Sequence, residues 1–312
     1  MRLLDSFPWP SPPGIAIKPR WTGSNFELDG KTSRLLAYDA DTSHWSDALT
    51  SLHEMEAGRD HPIDVASRNL AVSSMQSIQQ SQPIILDVGC SSGYVLEELR
   101  ATMPDARLIG ADYLRGPLDG LAARMPDVPI LQFDLRKCPL PAACVDGVTC
   151  LNVLEHIDDH GAALAEVQRI LRPGGVAHVE VPAGPSLYDI YDEHLLHHRR
   201  YRLSELISLA QKCGFVIEKA THLGFSVFPA FWWVKRRNRK KLKLSASEKA
   251  GLVAAQIRAT KSNPIFAGLI RLETLIGRQI AYPLGIRCVT RLRKAGTRIP
   301  SHHDRFQRQQ GA

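Results

Sequence analysis

The sequence predicts an α/β domain, a mostly parallel sheet with helices on both faces. Three observations predict it. Short apolar runs that close on an acid recur through the middle of the chain: Ile84-Ile85-Leu86-Asp87-Val88, Leu108-Ile109-Gly110-Ala111-Asp112 and Pro129-Ile130-Leu131-Gln132-Phe133-Asp134-Leu135. Amphipathic stretches of helical period separate them, over 95–102, 114–124 and 161–171, and strands alternating with helices imply parallel βαβ units. The first run feeds Gly89-Cys90-Ser91-Ser92-Gly93, two glycines four apart that open a helix.

Each element has its own justification. The Gly89–Gly93 turn is of nucleotide-binding type, but it lacks the three glycines of a dinucleotide fingerprint and has an acid just before it. The carboxylate of Asp87 would repel a pyrophosphate and suits a ligand with an ammonium group. Gly89 and Gly93 allow close approach of backbone to ligand and of helix to strand, while Cys90 and Ser91 act through backbone atoms. Asp112 lies about 20 residues beyond the turn at a strand end, where a carboxylate grips a ribose diol by accepting two hydrogen bonds. A further strand, 146–151, runs into Asn152-Val153-Leu154-Glu155-His156. Leu171-Arg172-Pro173-Gly174-Gly175 ends a helix and leads into the strand 176–182. Arg202–Phe215 is a helix with a glycine stop at Gly214, followed by a strand from Phe215 and, much later, a final strand at 286–292.

Five ordered matches over residues 84–182 resemble class I S-adenosylmethionine-dependent methyltransferases of the broad "type 11" kind. They are the glycine turn, the acids Asp112 and Asp134, the Leu-Glu-His turn at 154–156 and the Leu-Arg-Pro-Gly-Gly segment. The resemblance implies a Rossmann-like seven-stranded sheet whose last strand is antiparallel, and S-adenosyl-L-methionine as cofactor. It implies that Asp134 meets the adenine amine, and that Tyr113, Leu135, Asn152 and Val153 complete a cofactor site with Asp87, Gly89, Cys90, Ser91, Gly93 and Asp112. The Asn/Asp-Pro-Pro-Tyr/Phe motif of relatives that methylate amines on bases or glutamine is absent after the fourth strand. Its absence favours an oxygen or carbon acceptor on a small molecule, lipid or glycan.

Proton removal from a hydroxyl acceptor needs a base. His156 stands where the fourth strand ends; His197 and His198 lie in Asp192–Tyr201, after the fifth strand. His194, His197 and His198 suggest one helical face and hence a metal, but no matched acidic ligand set accompanies them, so no metal is expected. Tyr188, Tyr191 and Tyr201 are expected around the pocket, and Arg68 is either a partner for the cofactor carboxylate or a solvated helix charge.

The domain plan places an irregular N-terminal arm at 1–42, a helical cover at 43–82, the methyltransferase domain at 83–295 and a flexible tail at 296–312. The cover reads as two helices, one around Asp47–Glu54 and one from Pro62 to Met75. Within the main domain, 222–283 is a helical insert before the last strand. Its segment 224–243 joins the aromatic run Phe225–Val234 to seven cations between Lys235 and Lys243. Since the chain's net charge is +7, the remainder is balanced, so the protein is not a globally basic nucleic-acid binder. Rings beside cations suit a membrane interface, and a lid with a solvated basic end accounts for the same residues. No apolar run approaches the ~20 residues of a membrane span. The N-terminal residues lack the pattern of a signal peptide, and the six cysteines form no Cys-x-x-Cys pair, so a cytoplasmic protein with reduced thiols, peripheral to the membrane if the interface reading holds, is expected. The leading expectation is O-methylation of a small or amphipathic, lipid- or glycan-type metabolite. An RNA methyltransferase using the basic insert and a non-catalytic methyltransferase-like binding protein are its rivals.

Overall fold

The computed structural model describes residues 4–38 and 58–296. In chain order, β1 (Arg20–Trp21), β2 (Phe26–Leu28) and β3 (Lys31–Ser33) form a small antiparallel meander, followed by β4 (Leu35–Ala37) and α1 (Pro62–Met75). Then come β5 (Ile84–Val88), α2 (Tyr94–Thr102), β6 (Arg107–Asp112), α3 (Arg115–Arg124), β7 (Ile130–Gln132), β8 (Val145–Leu151), α4 (His160–Ile170) and β9 (Leu171–Pro182). The rest comprises α5 (Ile190–His194), α6 (Leu203–Lys212), β10 (Phe215–Leu223), α7 (Phe228–Arg239), α8 (Ala246–Lys261), α9 (Pro264–Ile276) and β11 (Arg287–Lys294).

The main sheet runs β10-β11-β9-β8-β5-β6-β7-β4. Every neighbouring pair from β9 to β4 is parallel, and β11 is antiparallel to both β9 and β10, as the family resemblance implies. Strands buried on both faces are mostly apolar, and β5 carries one polar residue, the buried Asp87. Ile84, Leu86 and Val88 join one core layer and Ile85 the other. The chain winds outward from β5 through β6 to β7, then returns to place β8 on the other side of β5. This reversal opens a crevice at the carboxyl ends of β5 and β8, where α/β sheets bind ligands.

Two expectations change. The sheet has eight strands, because Leu35 and Leu36 are buried and β4 pairs with β7, covering what would be an open edge. Instead of an irregular arm, residues 4–38 pack onto the main core. Trp9 and Phe26 are buried with ring centroids 5.0 Å apart, and Trp21 packs tilted against Phe26 at 4.7 Å. Aromatic burial rather than periodicity holds this segment, so strands of two or three residues left no pattern to read. The helix expected around Asp47–Glu54 and the tail beyond Gly296 lie outside the described residues. The expectation for Pro62–Met75 matches α1 in both bounds.

Candidate active site

The glycine turn is shaped by backbone. Gly89 has φ +73°, and a Cβ there would stand 2.4 Å from Val153 Cγ2. The N–H groups of Gly89 and Cys90 both donate to the Ala111 carbonyl, tying the turn to β6. Gly93 also has φ +79°, but its constraint is packing: a Cβ would stand 2.3 Å from Leu121 Cδ1 on α3. Cys90 is buried in the second apolar layer. Gly93 and Cys90 therefore shape the turn from behind, while Gly89 and Ser91 line the cavity in front.

The three acids are deployed differently. Asp112, at the end of β6, lines the cavity with its carboxylate aimed by two backbone donors, Ser91 N–H at 3.0 Å and Leu114 N–H at 2.9 Å. Asp87 lies wholly buried beneath the turn and is not a lining residue; its Oδ1 accepts from Thr149 Oγ1 at 2.6 Å. Burial pushes its pKa up to about 7, the hydrogen bond from Thr149 opposing and the charge of Asp112 adding. Asp134 lines the cavity but is clasped by Arg136, through both its backbone N–H and its guanidinium. Burial would raise the Asp134 pKa, yet the hydrogen bonds and charge of Arg136 outweigh it and hold the group below the carboxylate range. Tyr113, Leu135, Asn152 and Val153 line the same cavity.

The opposite wall is built on a buried charge network that the sequence reading missed. Asp192 Oδ1 accepts from His197 Nδ1 at 2.8 Å and Arg200 Nε at 2.7 Å, and its Oδ2 from Lys235 Nζ at 3.2 Å. Asp189 accepts from Lys235 Nζ at 2.6 Å and from Asn238 Nδ2 at 2.9 Å, and Asn238 exchanges hydrogen bonds with Gln256 of α8. One network thus locks α5, α7 and α8 together. Burial would raise the Asp192 pKa, but the His197 hydrogen bond and the charges of Lys235 and Arg200 drive it far below its ordinary value. His197 moves down, through burial first and the neighbouring cations next, against the pull of Asp192. In the neutral ring, Nδ1–H donating to Asp192 leaves Nε2 as the acceptor.

His197 and His198 line the cavity with His156, whose ring stands edge-on to His197 at 4.7 Å. The histidines do not share a helical face: α5 ends at His194, and Leu196 at φ +53° turns the chain before His197. Glu155, wholly buried with neither oxygen hydrogen-bonded, reaches the same place, and burial lifts its pKa to about 8. Ligand atoms of Glu155, His156 and His197 lie within 4.8 Å of one another, so a buried acid accompanies His156 and His197 rather than the trio of His194, His197 and His198. Sequence proximity to His156 was the only signal for it.

Tyr188 and Tyr191 line the cavity, whereas the Tyr201 hydroxyl is committed to the Leu154 carbonyl and to His160. Arg68 is a strut, bound to Glu98 at 2.6 Å and to the Arg59 carbonyl, and is not a lining residue. From the same helix His61 reaches the cavity, and Asp64 pairs with Arg287, which also holds Glu180. Lys235 is not part of a surface basic run: it is almost wholly buried in the Asp189–Asp192 network.

The cavity between the two walls has a volume of about 1360 Å³. Pockets for single small ligands run to roughly 300–1,000 Å³, so this one has room for two ligands side by side. The residues on the sheet side fit S-adenosylmethionine. The aimed carboxylate of Asp112 suits a ribose diol, and Phe133, Leu114 and Leu135 offer apolar walls for a flat base.

Comparison with known proteins agrees with this geometry. Residues 86–179 match the family model described as a methyltransferase domain. A probable S-adenosylmethionine-dependent methyltransferase of Mycolicibacterium smegmatis is 35% identical over 136 residues, 43% of this chain and 52% of that protein. The malonyl-[acyl-carrier protein] O-methyltransferase of Serratia marcescens is 33% identical over 129 residues, 41% of this chain and 48% of that protein. The chain thus spans about half the length of the curated relatives it matches. Among solved structures, phosphoethanolamine N-methyltransferase 2 of Haemonchus contortus, in complex with S-adenosyl-L-methionine, superposes with a TM-score of 0.53. It is 17% identical, over 86% of this chain and 62% of that one, a likeness of fold.

Proposed function

Residues 86–179 being a class I S-adenosylmethionine-dependent methyltransferase domain, we propose that the chain transfers the cofactor's methyl group to an oxygen atom of an amphipathic small molecule. One observation carries this reading: a single cavity of about 1360 Å³ joins the cofactor loops to an apolar chamber, with His197 in the wall. Val227, Phe231 and Val234 of the α7 segment and Phe266 and Leu269 of α9 line that chamber, so the acceptor body is apolar. Glu155, His156, His197 and Arg287 are among the polar lining groups and offer partners for the acceptor's polar end. The Serratia relative, named for methylation of oxygen, supports the choice of atom.

The bound cofactor supplies a sulfonium-activated methyl group, open to in-line attack. The chain's own residues hold and orient. Asp112 uses its remaining acceptor capacity on the ribose hydroxyls, and Phe133 and Leu135 flank the base. Asp87 places a buried acid beneath the turn, whose ionised form a cationic ligand favours. His197, oriented through Nδ1 by Asp192, takes the acceptor's hydroxyl proton at Nε2, as an imidazole held by a buried aspartate does in a catalytic triad.

Calorimetric titration of S-adenosylmethionine and S-adenosylhomocysteine into the wild type and Asp112→Ala tests the proposal. The expected result is micromolar binding that weakens by about 10- to 100-fold in the variant, for the loss of hydrogen bonds to a charged acceptor. A folded wild type that binds neither ligand would overturn it in favour of a non-catalytic methyltransferase-like protein.

A further inference from the structure

Helix α9 starts cleanly: Asn263 accepts from the N–H groups of Ile265 and Phe266, and Pro264 occupies the first turn. Its burial is too narrow for its sequence. Ile270 and Glu273 are buried, while Ile265, Leu269, Leu272, Leu275 and Ile276 face outward, with Ile265 73% and Leu275 60% exposed. A helix that turns an apolar face away from the core marks an interaction surface. Helix α7 does the same at its middle. Phe228 and Phe231 pack inward, whereas Trp232 and Trp233 are exposed, Trp233 by 54%, with Arg236 and Arg237 laid over their rings at 5.5 and 4.6 Å.

Charge selects the occupant. Residues 228–280 hold twelve lysines and arginines against two acids, Glu248 and Glu273, so this segment is more positive than the whole chain at +7. Glu273 is no surface charge. It is buried and accepts from the N–H groups of Gly224, Phe225 and Ser226. A second copy seated on this face would set two strongly positive segments against each other, which costs affinity. A single-stranded nucleic acid would use the cations and stack on the tryptophans, but it would leave the aliphatic face of α9 unburied. An anionic bilayer satisfies all three features. Tryptophans sit at headgroup level, aliphatic side chains enter the acyl boundary, and each surface cation contributes about 1 kcal/mol.

The exposed face of α9 also meets the cavity. Ile265 and Leu269 are both exposed and among the lining residues, so they form its rim. No helix of the described residues is long and apolar enough to cross a membrane. We propose that α7 and α9 dock the protein flat on an anionic lipid surface, with the cavity mouth on the lipid side. Docking stands on the surface alone; the corollary that an acceptor enters from the bilayer rests on the function proposed above.

Co-sedimentation with vesicles tests docking without reference to catalysis. The full chain is mixed with phosphatidylcholine vesicles, either pure or containing roughly one-third phosphatidylglycerol, beside Trp232→Ala/Trp233→Ala, Leu272→Gln/Leu275→Gln and Arg236→Glu/Arg237→Glu. The wild type is expected to pellet with the anionic vesicles, to be released by high salt, and to show blue-shifted tryptophan emission. Each double variant should partition at least about tenfold more weakly, with cofactor binding as the check on folding. If one variant fails to fold, the others still decide. Absence of pelleting, equal pelleting with both vesicles, or variants that pellet like the wild type would overturn the proposal. So would a lipid-free dimer that the substitutions abolish, or salt-sensitive RNA retention without vesicle binding.

Discussion

The two walls of the cavity are held by different physics. The cofactor wall is strand-end backbone: a left-handed turn at Gly89, amides donating to Ala111 and Asp112, and apolar residues on three parallel strands. The acceptor wall is side chains from three separated segments, 189–200, α7 and α8, joined by Asp189, Asp192, His197, Arg200, Lys235, Asn238 and Gln256. A wall made by local backbone tolerates side-chain change but not a change of backbone shape. A wall made by buried charge depends on every partner, because removing one leaves another desolvated and unpaired.

The largest effect is expected from Asp192→Ala. Lys235 and Arg200, both buried, lose their shared acceptor, and the expected cost is about 3–5 kcal/mol in urea unfolding. A cost below about 1 kcal/mol would mean that the acceptor wall is held by apolar packing instead. Next comes Gly89→Ala, which asks whether the cofactor wall is really a matter of backbone. The added Cβ meets Val153 at 2.4 Å in a left-handed conformation, so cofactor affinity should fall by about 100-fold, with stability down by about 1–2 kcal/mol. Calorimetry showing unchanged affinity would remove the turn from the binding argument.

The effect of Asp87→Asn is visible only as pH dependence. The folded-state pKa of Asp87 is raised from its ordinary value of 3.8 to about 7, chiefly by burial. Between about pH 4 and 7 the ligand-free folded protein therefore holds a proton that the unfolded chain has released, so its stability falls as pH rises. The contribution is complete below pH 4 and lost above 7. Thermal melts of Asp87→Asn should gain on the wild type by a few degrees across that window and run parallel to it beyond. Parallel melts throughout would show that Asp87 is already ionised in the folded protein at pH 4.

How much could be read in advance follows the same division. Strands β5 and β6 and helix α1 were legible from apolar runs and a proline at the helix start, and the antiparallel β11 from the family resemblance. Lys235 is the opposite case. It stands first in a run of seven cations without an acid between them, yet it turns inward while Arg236 and Arg237 turn out, a choice made by the helical position facing Asp189. Arg68 likewise has the right face of the right helix for a cofactor contact and spends its guanidinium on Glu98. Glu155 looked like the middle of a loop motif, and only the packing of the segment 197–200 around it shows a buried acid beside two histidines.

Seven of the eight sheet strands and the cofactor class were legible in the amino-acid sequence and the resemblance it carries. These rest on local signals, namely apolar period, glycine spacing and acids at strand ends, that survive in one dimension. The tertiary structure decided which charges are buried, which histidine is held by an acid, and which apolar residues of the insert remain on the surface. Those outcomes depend on partners from about 5 to more than 100 residues away in the chain, as His197 with Asp192 and Arg287 with Glu180 illustrate. For such pairs the residue types are visible in the sequence, but the desolvation that gives them their chemistry exists only once the chain is packed.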